Sequence, residues 1–261
     1  NGHTSSKALY AISYVVRGKD IQKKLIESFI RMSEHPDPEK IGQIIFSKDK
    51  EGLNEDDLSH ISINSVRGHI ADGVTTLTGS LLEKESGIPE ELYKLLERFA
   101  TDPVEAVRIH VIELLPFLEQ KVTEKGWSLF EKAFEKAHPA LWPHAYRFLY
   151  YQYKKHFNRV SQILERIKTE GGQHGAELWG TISALCFLDN LITIELLTVQ
   201  LNEFNQEDAW CGAVRVFTSN LKTPDIRNKC LNGLIALIKN NAFPLKLLST
   251  IEPTFSQIPI P

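Results

Sequence analysis

Residues 101–120 read TDPVEAVRIHVIELLPFLEQ, and this stretch decides the fold class. Its apolar side chains recur every three or four residues, which is the spacing of one face of an α-helix. They are Val107, Val111, Leu114, Leu115 and Leu118. Thr101 and Asp102 are cap candidates, and Pro103 follows them where a starting helix tolerates proline. The stretch therefore predicts a helix that Pro116 kinks or ends.

The same spacing indicates helices along most of the chain. They cover Asp20–Ser33, Ile88–Ala100, Leu141–His156, Val160–Lys168, Ala176–Leu188, Ile192–Phe204, Asp208–Leu221 and Ile226–Lys239. No run alternates apolar and polar residues between turn signals, so a sheet is not expected. Helices of roughly 12–18 residues with short connections indicate an all-α protein.

Two stretches of the chain share the same short string. Residues 66–72 and 107–113 both read Val-Arg-x-His-x-x-acid, and the arginines Arg67 and Arg108 are 41 residues apart. A further arginine, Arg147, follows after another 39 residues. Steps of about 33–47 residues with two helices each are typical of helical-repeat solenoids. We therefore predict a HEAT-like, right-handed α-solenoid of about five helical hairpins, in which stacked repeats share one core.

The distribution of polar residues and proline predicts four segments. An N-terminal helical segment covers 1–46, an acidic linker 47–58, the repeat array 59–252, and a tail 253–261 that is too rich in proline for a helix. The chain opens on Asn1 rather than on methionine, and we expect it to be a piece of a larger protein.

The composition excludes several classes of protein. The 261 residues are 42% hydrophobic and 24% charged, which is ordinary for a globular chain and excludes a disordered chain, a collagen-like fibre and a membrane bundle. A net charge of −3 argues against a protein that coats nucleic acid. The three cysteines form no Cys-x-x-Cys pair and read as buried small hydrophobes. No apolar run is long enough to span a bilayer, so we expect a cytoplasmic protein without a membrane partner.

The sequence lacks the common catalytic and metal-binding motifs. The string Gly68-x-x-x-x-Gly73 is followed by Val74 and Thr75, so the lysine of a P-loop is missing. His110-x-x-Glu113 lacks the second histidine of a metalloprotease, and zinc needs at least three protein ligands. We therefore predict that the chain is not an enzyme and holds no metal and no cofactor.

Two arginines and two acids occupy equivalent repeat positions. They are Arg67 with Asp72 and Arg108 with Glu113. An arginine five residues before an acid lies roughly 140° away around a helix, so the two pair poorly within one helix. We interpret the four as a structural polar ladder between stacked repeats, and ligand binding is the alternative.

The segment 142–157 carries the candidate binding residues. Arg147, Tyr151, Lys154 and Lys155 follow helical spacing and form a cationic, aromatic face suited to phosphate, nucleic acid or an acidic protein. A merely solvated face is the alternative. The opposite face is predicted to be core, and its residues are Trp142, Tyr146, Leu149, Tyr150, Tyr153 and Phe157.

Several short strings occur in an order that resembles a known family. They are Ile63-Asn64-Ser65-Val66-Arg67-Gly68, Asp102-Pro103-x-x-x-Val107-Arg108, Arg147-Phe148-Leu149-Tyr150-Tyr151, Gly175-Ala176-Glu177-Leu178 and Ala213-Val214-x-Val216. Over about 59–240 the chain resembles the C-terminal helical-repeat region of large bacterial P-loop NTPases, of the signal-transducing type used in anti-phage defence. This resemblance implies a non-catalytic scaffold or sensor arm that recognises a protein or other macromolecule, or other domains of a larger chain.

Two rival functions stay open. A HEAT-like DNA glycosylase or a nucleic-acid-binding solenoid would need a basic concave groove, and the acidic net charge does not favour it. A structural linker that only joins other domains is the second rival.

Overall fold

The computed structural model describes residues 2–14, 19–39 and 54–255. For residues 253–255 it describes the backbone but not the side chains. Within these ranges the protein is helical and contains no strand, which confirms the all-α prediction. The chain divides into two compact units, residues 1–148 and residues 149–261.

Among its described residues, the first unit contains six α-helices and the start of a seventh. They are α1 Gly2–Ser13, α2 Lys19–Met32, α3 Glu55–Ile63, α4 Val66–Glu83, α5 Glu90–Ala100, α6 Glu105–Phe134 and α7 Tyr146–Gln152, which crosses the unit boundary. The second unit continues with α8 Phe157–Arg166, α9 Gly172–Leu188, α10 Ile194–Phe204, α11 Glu207–Asn220, α12 Pro224–Ile238 and α13 Leu248–Phe255.

Helix α4 is the centre of the first unit. It contacts α1, α2, α3, α5 and α6, and for this reason it is apolar or small on nearly every side. Its N-cap is Ser65, whose hydroxyl accepts a hydrogen bond from the backbone of Gly68 at 3.2 Å. Phe99, Phe130 and Phe134 are fully buried in the same core.

Pro116 does not end its helix as predicted, and the kink in this helix lies at Val122. Helix α6 passes through Pro116 and leaves helical geometry only at Val122, where φ is −145° and ψ is 64°. Proline removes one helical hydrogen bond, and the packing of a buried face against α4 and α5 outweighs that loss.

The second unit is built on two helices that meet at glycines. Helix α9 packs on α11, and a Cβ atom added at Gly180 would overlap the carbonyl oxygen of Ala209. Gly212 on α11 approaches the backbone of Glu177 in the same way. Without side chains at these two positions the helix axes can come close enough for Trp179 and Phe217 to be buried beside them.

Several predicted helix boundaries differ from the structure, and two of the differences are large. The helix predicted over Leu141–His156 is a 3-10 helix, Pro139–Ala145, followed by the short α7 and a turn at 153–156. At the other end, α13 runs into the predicted tail as far as Phe255, because the fixed φ of proline is compatible with a helix. Of the predicted linker, 54–58 is described and 55–58 begins α3, whereas 47–53 lies outside the described residues.

Candidate binding surface

The four predicted binding residues do not lie on one helical face. Arg147 and Tyr151 belong to α7, whereas Lys154 and Lys155 lie in the turn that follows Gln152. Arg147 also belongs to the first unit and the other three residues to the second. The prediction of a continuous face is therefore wrong, because the helix that would carry it ends too early.

The predicted apolar face of this segment is also partly wrong. Trp142 and Leu149 are fully buried as predicted, but Tyr146 and Tyr150 are 46% and 43% exposed. The 3-10 helix before Tyr146 changes the rotation per residue, so the spacing read through it does not continue in α7. Phe148 takes the core position instead, where its ring stacks on Phe130 at a centroid distance of 5.0 Å.

Tyrosines form the first part of the candidate surface in the second unit. The rings of Tyr150 and Tyr151 meet edge to face at 5.5 Å, and Tyr151 is 46% exposed. Tyr153 lies half-buried beside Tyr150, with 6.4 Å between the ring centroids. Exposed tyrosines combine apolar area with a hydroxyl, which is why they are enriched at interfaces.

Asp189 at the end of α9 fixes the turn that follows α7. Its carboxylate accepts a hydrogen bond of 2.5 Å from the hydroxyl of Tyr153 and one of 2.7 Å from Nζ of Lys154. Burial opposes the charged form, but the hydrogen bonds from Lys154 and Tyr153 hold the pKa of Asp189 below its ordinary value. The turn is thus tied to α9 by a charge-assisted contact rather than by apolar packing.

Basic side chains surround a cavity of about 320 Å³ in this turn. Its lining residues are Lys154, Lys155, His156, Phe157, Asn158 and Arg159, and we call this segment, 154–159, the basic turn. Among the described residues that line the cavity there is no carboxylate. Three permanent cations around one cavity suit an anionic group, either a carboxylate or a phosphate.

The arginines of the predicted ladder both meet Asp102 in the first unit. Arg67 donates Nε and Nη2 hydrogen bonds of 2.9 and 3.1 Å to the carboxylate, and its Nη1 donates to the carbonyls of His35 and Pro36. Arg108 donates to the carbonyl oxygen of Asp102 at 2.7 Å and to that of Ala133 at 3.0 Å. These donors are already used inside the fold, which favours a structural role over ligand binding.

The acids of the predicted ladder take different partners. Burial raises the pKa of Asp72, which bonds Tyr10 and Thr76. Burial and the charge of Asp72 raise the pKa of Glu113, and the positive charge of Arg147 opposes that rise. Neither acid is the carboxylate that Arg67 holds, so the arginines and the acids of the repeated string serve separate contacts.

Three side chains in the first unit have the order of a catalytic triad. Oγ of Ser62 lies 2.7 Å from Nε2 of His110, and Nδ1 of His110 lies 3.8 Å from Oδ1 of Asp72. Ser62 is only 1% exposed, however, so a substrate carbonyl cannot reach its hydroxyl in this structure. Burial lowers the pKa of His110 to about 4, which is poorly matched to a general base near neutral pH.

A larger cavity of about 480 Å³ lies where the end of α2 meets the α5–α6 connection. Arg67 and Arg98 line it, but so do their partners. Arg67 is held by Asp102, and Arg98 contacts Glu34 at 3.1 Å. The lining of this cavity thus holds carboxylates beside its arginines. The described lining of the basic turn holds three cations and no carboxylate, which makes it the stronger candidate for an anionic partner.

Sequence reasoning missed three features of the basic turn. The predicted binding residues do not include His156 and Arg159, and the sequence does not indicate that Asp189 contacts Lys154. The segment 153–156 contains neither glycine nor proline, so it gives no signal of a turn. The contact with Asp189 joins residues 35 positions apart and depends on tertiary packing.

The described residues contain no group of three histidine, cysteine or acidic side chains arranged to hold a metal ion. In the same part of the chain, no helix has the length and apolar character needed to cross a membrane. The chain matches no family model, no curated protein and no solved structure.

Proposed function

We propose that this protein is a non-catalytic binding module that recognises an acidic segment of a protein partner through the basic turn. The observation that carries the proposal is a cation-lined cavity in a turn that follows two exposed tyrosines along the chain, within one unit. Carboxylates of the partner pair with Lys155 and Arg159, and Tyr150 and Tyr151 supply apolar contact area next to them.

Two observations favour a protein over nucleic acid. The net charge of the chain is −3, so the basic turn is a local feature on an acidic molecule. The described lining of the basic turn holds three permanent cations, one of which, Lys154, pairs with Asp189, and a long polyanion needs a longer row of cations. A nucleic-acid-binding solenoid or a HEAT-like glycosylase would need a longer basic surface, and it remains the competing outcome of the test below.

The proposal includes a repeat architecture for each unit. Helix α9 contacts α11 and α10 contacts α12, as expected when hairpins stack and equivalent helices become neighbours. In the first unit α4 contacts α6, the two helices that begin with the repeated string. These contacts support HEAT-type hairpins; the right-handed solenoid stays part of the proposal.

The wider role rests on the sequence resemblance alone. By that resemblance the module is a scaffold or sensor arm of a larger bacterial NTPase in the cytoplasm, acting in anti-phage defence. Its partner is then another protein, or another domain of the same chain.

Binding to labelled probes tests the proposed site. A short glutamate-rich peptide and an oligothymidine of equal length are titrated with the protein, and fluorescence anisotropy reports the affinity. We expect the peptide to bind more tightly. Lys155→Glu combined with Arg159→Glu should weaken that binding about tenfold or more, because two attractive charges become repulsive.

Lys239→Glu is the matched control, since Lys239 is an exposed cation of the same unit outside the basic turn. It should leave the affinity unchanged. If the oligothymidine binds more tightly and depends on the basic turn, the partner is nucleic acid. If the double reversal weakens neither probe more than the control does, the basic turn is not the binding site.

A further inference from the structure

The face that helix α1 turns towards the protein is polar. Its two buried residues are Ser6 and Ser13, and their hydroxyls donate to the carbonyls of His3 and Tyr10 within the same helix. Ile12 and Tyr14 are 41% and 60% exposed. Helix α1 therefore gains little from apolar burial, which is the main stabilising contribution for most docked helices.

Helix α2 shows the contrast within the same unit. It buries Leu25, Ile26 and Phe29, and Phe29 is fully excluded from solvent. Helix α1 instead approaches the backbone of α4, where a Cβ added at Gly73 would lie 3.4 Å from Cα of Tyr10. Helices α1 and α4 are therefore in close contact, but little apolar surface is buried between them.

Titratable groups provide the specific contacts between α1 and α4. Oγ of Ser6 lies 3.5 Å from Nδ1 of His69, and the rings of His3 and His69 meet edge to face at 6.5 Å. The hydroxyl of Tyr10 bonds both Asp72 and, at 2.5 Å, the hydroxyl of Tyr14. The contacts between α1 and α4 thus include a histidine and an acid of α4, whose charges change with pH.

The surroundings of His69 disfavour a positive charge. The ring is only 9% exposed, and His3 and Lys7 of α1 face it. His110 faces it from α6, and Asp37, from the segment after α2, is the one acid among the described groups that act on it. Burial and the charge of Lys7 together lower the pKa of His69.

We infer that α1 is a detachable helix, docked on α4 while His69 is neutral and released when His69 is protonated. A proton on His69 places a cation beneath α1, facing Lys7 and His3. Departure of α1 hydrates that cation and exposes no fully buried apolar side chain of α1 itself. Release uncovers α4 around Gly73. This inference does not depend on the basic turn, which lies in the other unit.

Hydrogen exchange on the whole chain tests the inference. Amide exchange is followed by mass spectrometry at about pH 7.5 and about pH 5, on either side of the ordinary histidine pKa, and expressed as protection factors. We expect amides of α1 to lose about tenfold or more of their protection at the lower pH. Amides of α5 and α6 should remain far better protected than those of α1 at the lower pH.

His69→Gln should keep α1 docked at the lower pH, because glutamine fills a similar space and cannot be protonated. His60→Gln removes an exposed histidine of α3 and should behave like the parent. Nuclear magnetic resonance of the histidine rings in the parent gives a second measurement that does not depend on the folding of a variant. The titration midpoint of His69 should coincide with the release of α1.

Equal protection factors for α1, α5 and α6 at the lower pH would overturn the inference, because the unit would then open as a whole. So would a His69→Gln variant, folded at neutral pH, that releases α1 at the lower pH as readily as the parent does. A His69 titration that is complete before α1 loses protection would overturn it as well.

Discussion

Arg67 holds the carboxylate of Asp102 through two hydrogen bonds of 2.9 and 3.1 Å, and the two residues are only 8% and 5% exposed. The same carboxylate accepts a hydrogen bond from the backbone of Val104 at 2.9 Å, just before α6 begins. One acid in the α5–α6 connection thus neutralises a buried cation on α4 and satisfies the backbone at the start of the next helix.

Asp102→Asn should destabilise the first unit by about 3–5 kcal/mol, because it leaves the Arg67 guanidinium buried without a counter-charge. Urea unfolding followed by circular dichroism measures the change. Glu90→Gln is the control, since Glu90 and Lys94 form an exposed pair at 3.7 Å. That change should stay within about 0.5 kcal/mol. Equal losses in the two variants would contradict a structural role for Arg67 and Asp102.

Two Gly→Ala changes should have opposite signs. At Gly180 an added methyl group overlaps the carbonyl of Ala209, and separating α9 from α11 should cost roughly 1–3 kcal/mol or more. At Gly79, in the middle of α4, the nearest atom to an added methyl is 3.9 Å away. Gly79→Ala should therefore stabilise by about 0.5–1 kcal/mol through helix propensity alone. Denaturation midpoints check both, and a stabilising Gly180→Ala would disprove the close packing.

Phe148→Ala should cost far more stability than Tyr150→Ala. Phe148 is fully buried against Phe130 and Trp127, so its removal should cost about 3–5 kcal/mol. Tyr150 is 43% exposed, and its removal should cost about 1 kcal/mol. The melting temperatures of the two variants, compared with that of the parent, measure the two losses. A larger loss for Tyr150→Ala would restore the core assignment that the sequence spacing predicts.

Mild acid should destabilise the first unit through His110. Burial, with the charges of His69 and His144, lowers its pKa from 6.5 to about 4 in the folded state. Between these values the unfolded chain binds more protons than the folded one. The contribution of neutral His110 to stability is therefore fully present above about pH 6.5. The free energy of unfolding falls by about 3 kcal/mol as the pH approaches 4.

His110→Gln should flatten this dependence, because glutamine can still bond Ser62 and carries no proton-linked charge. Urea unfolding at several pH values measures the slope. The raised pKa values of Asp72 and Glu113 act in the opposite direction, since their protonation favours the folded state. An equally steep loss of stability in the variant would show that another group dominates.

The sequence by itself determined the fold class and most helix positions in this protein. Helices such as α2, α5 and α10 lie within two residues of the predicted ranges, because apolar side chains at helical spacing leave one way to bury them. The repeated string also placed Arg67 and Arg108 near the start of a helix, and both lie in the first turn of one.

Only the tertiary structure decided which side chains are exposed around the basic turn and what each charged group contacts. The break after Gln152 has no glycine or proline to signal it, and it moves Lys154 off the helix. The 3-10 helix before Tyr146 changes the rotation per residue and leaves Tyr150 exposed. The partners Asp102 and Asp189 lie 35 residues from Arg67 and Lys154 along the chain. Contacts of that range depend on how whole helices pack, and helical spacing carries no information about them.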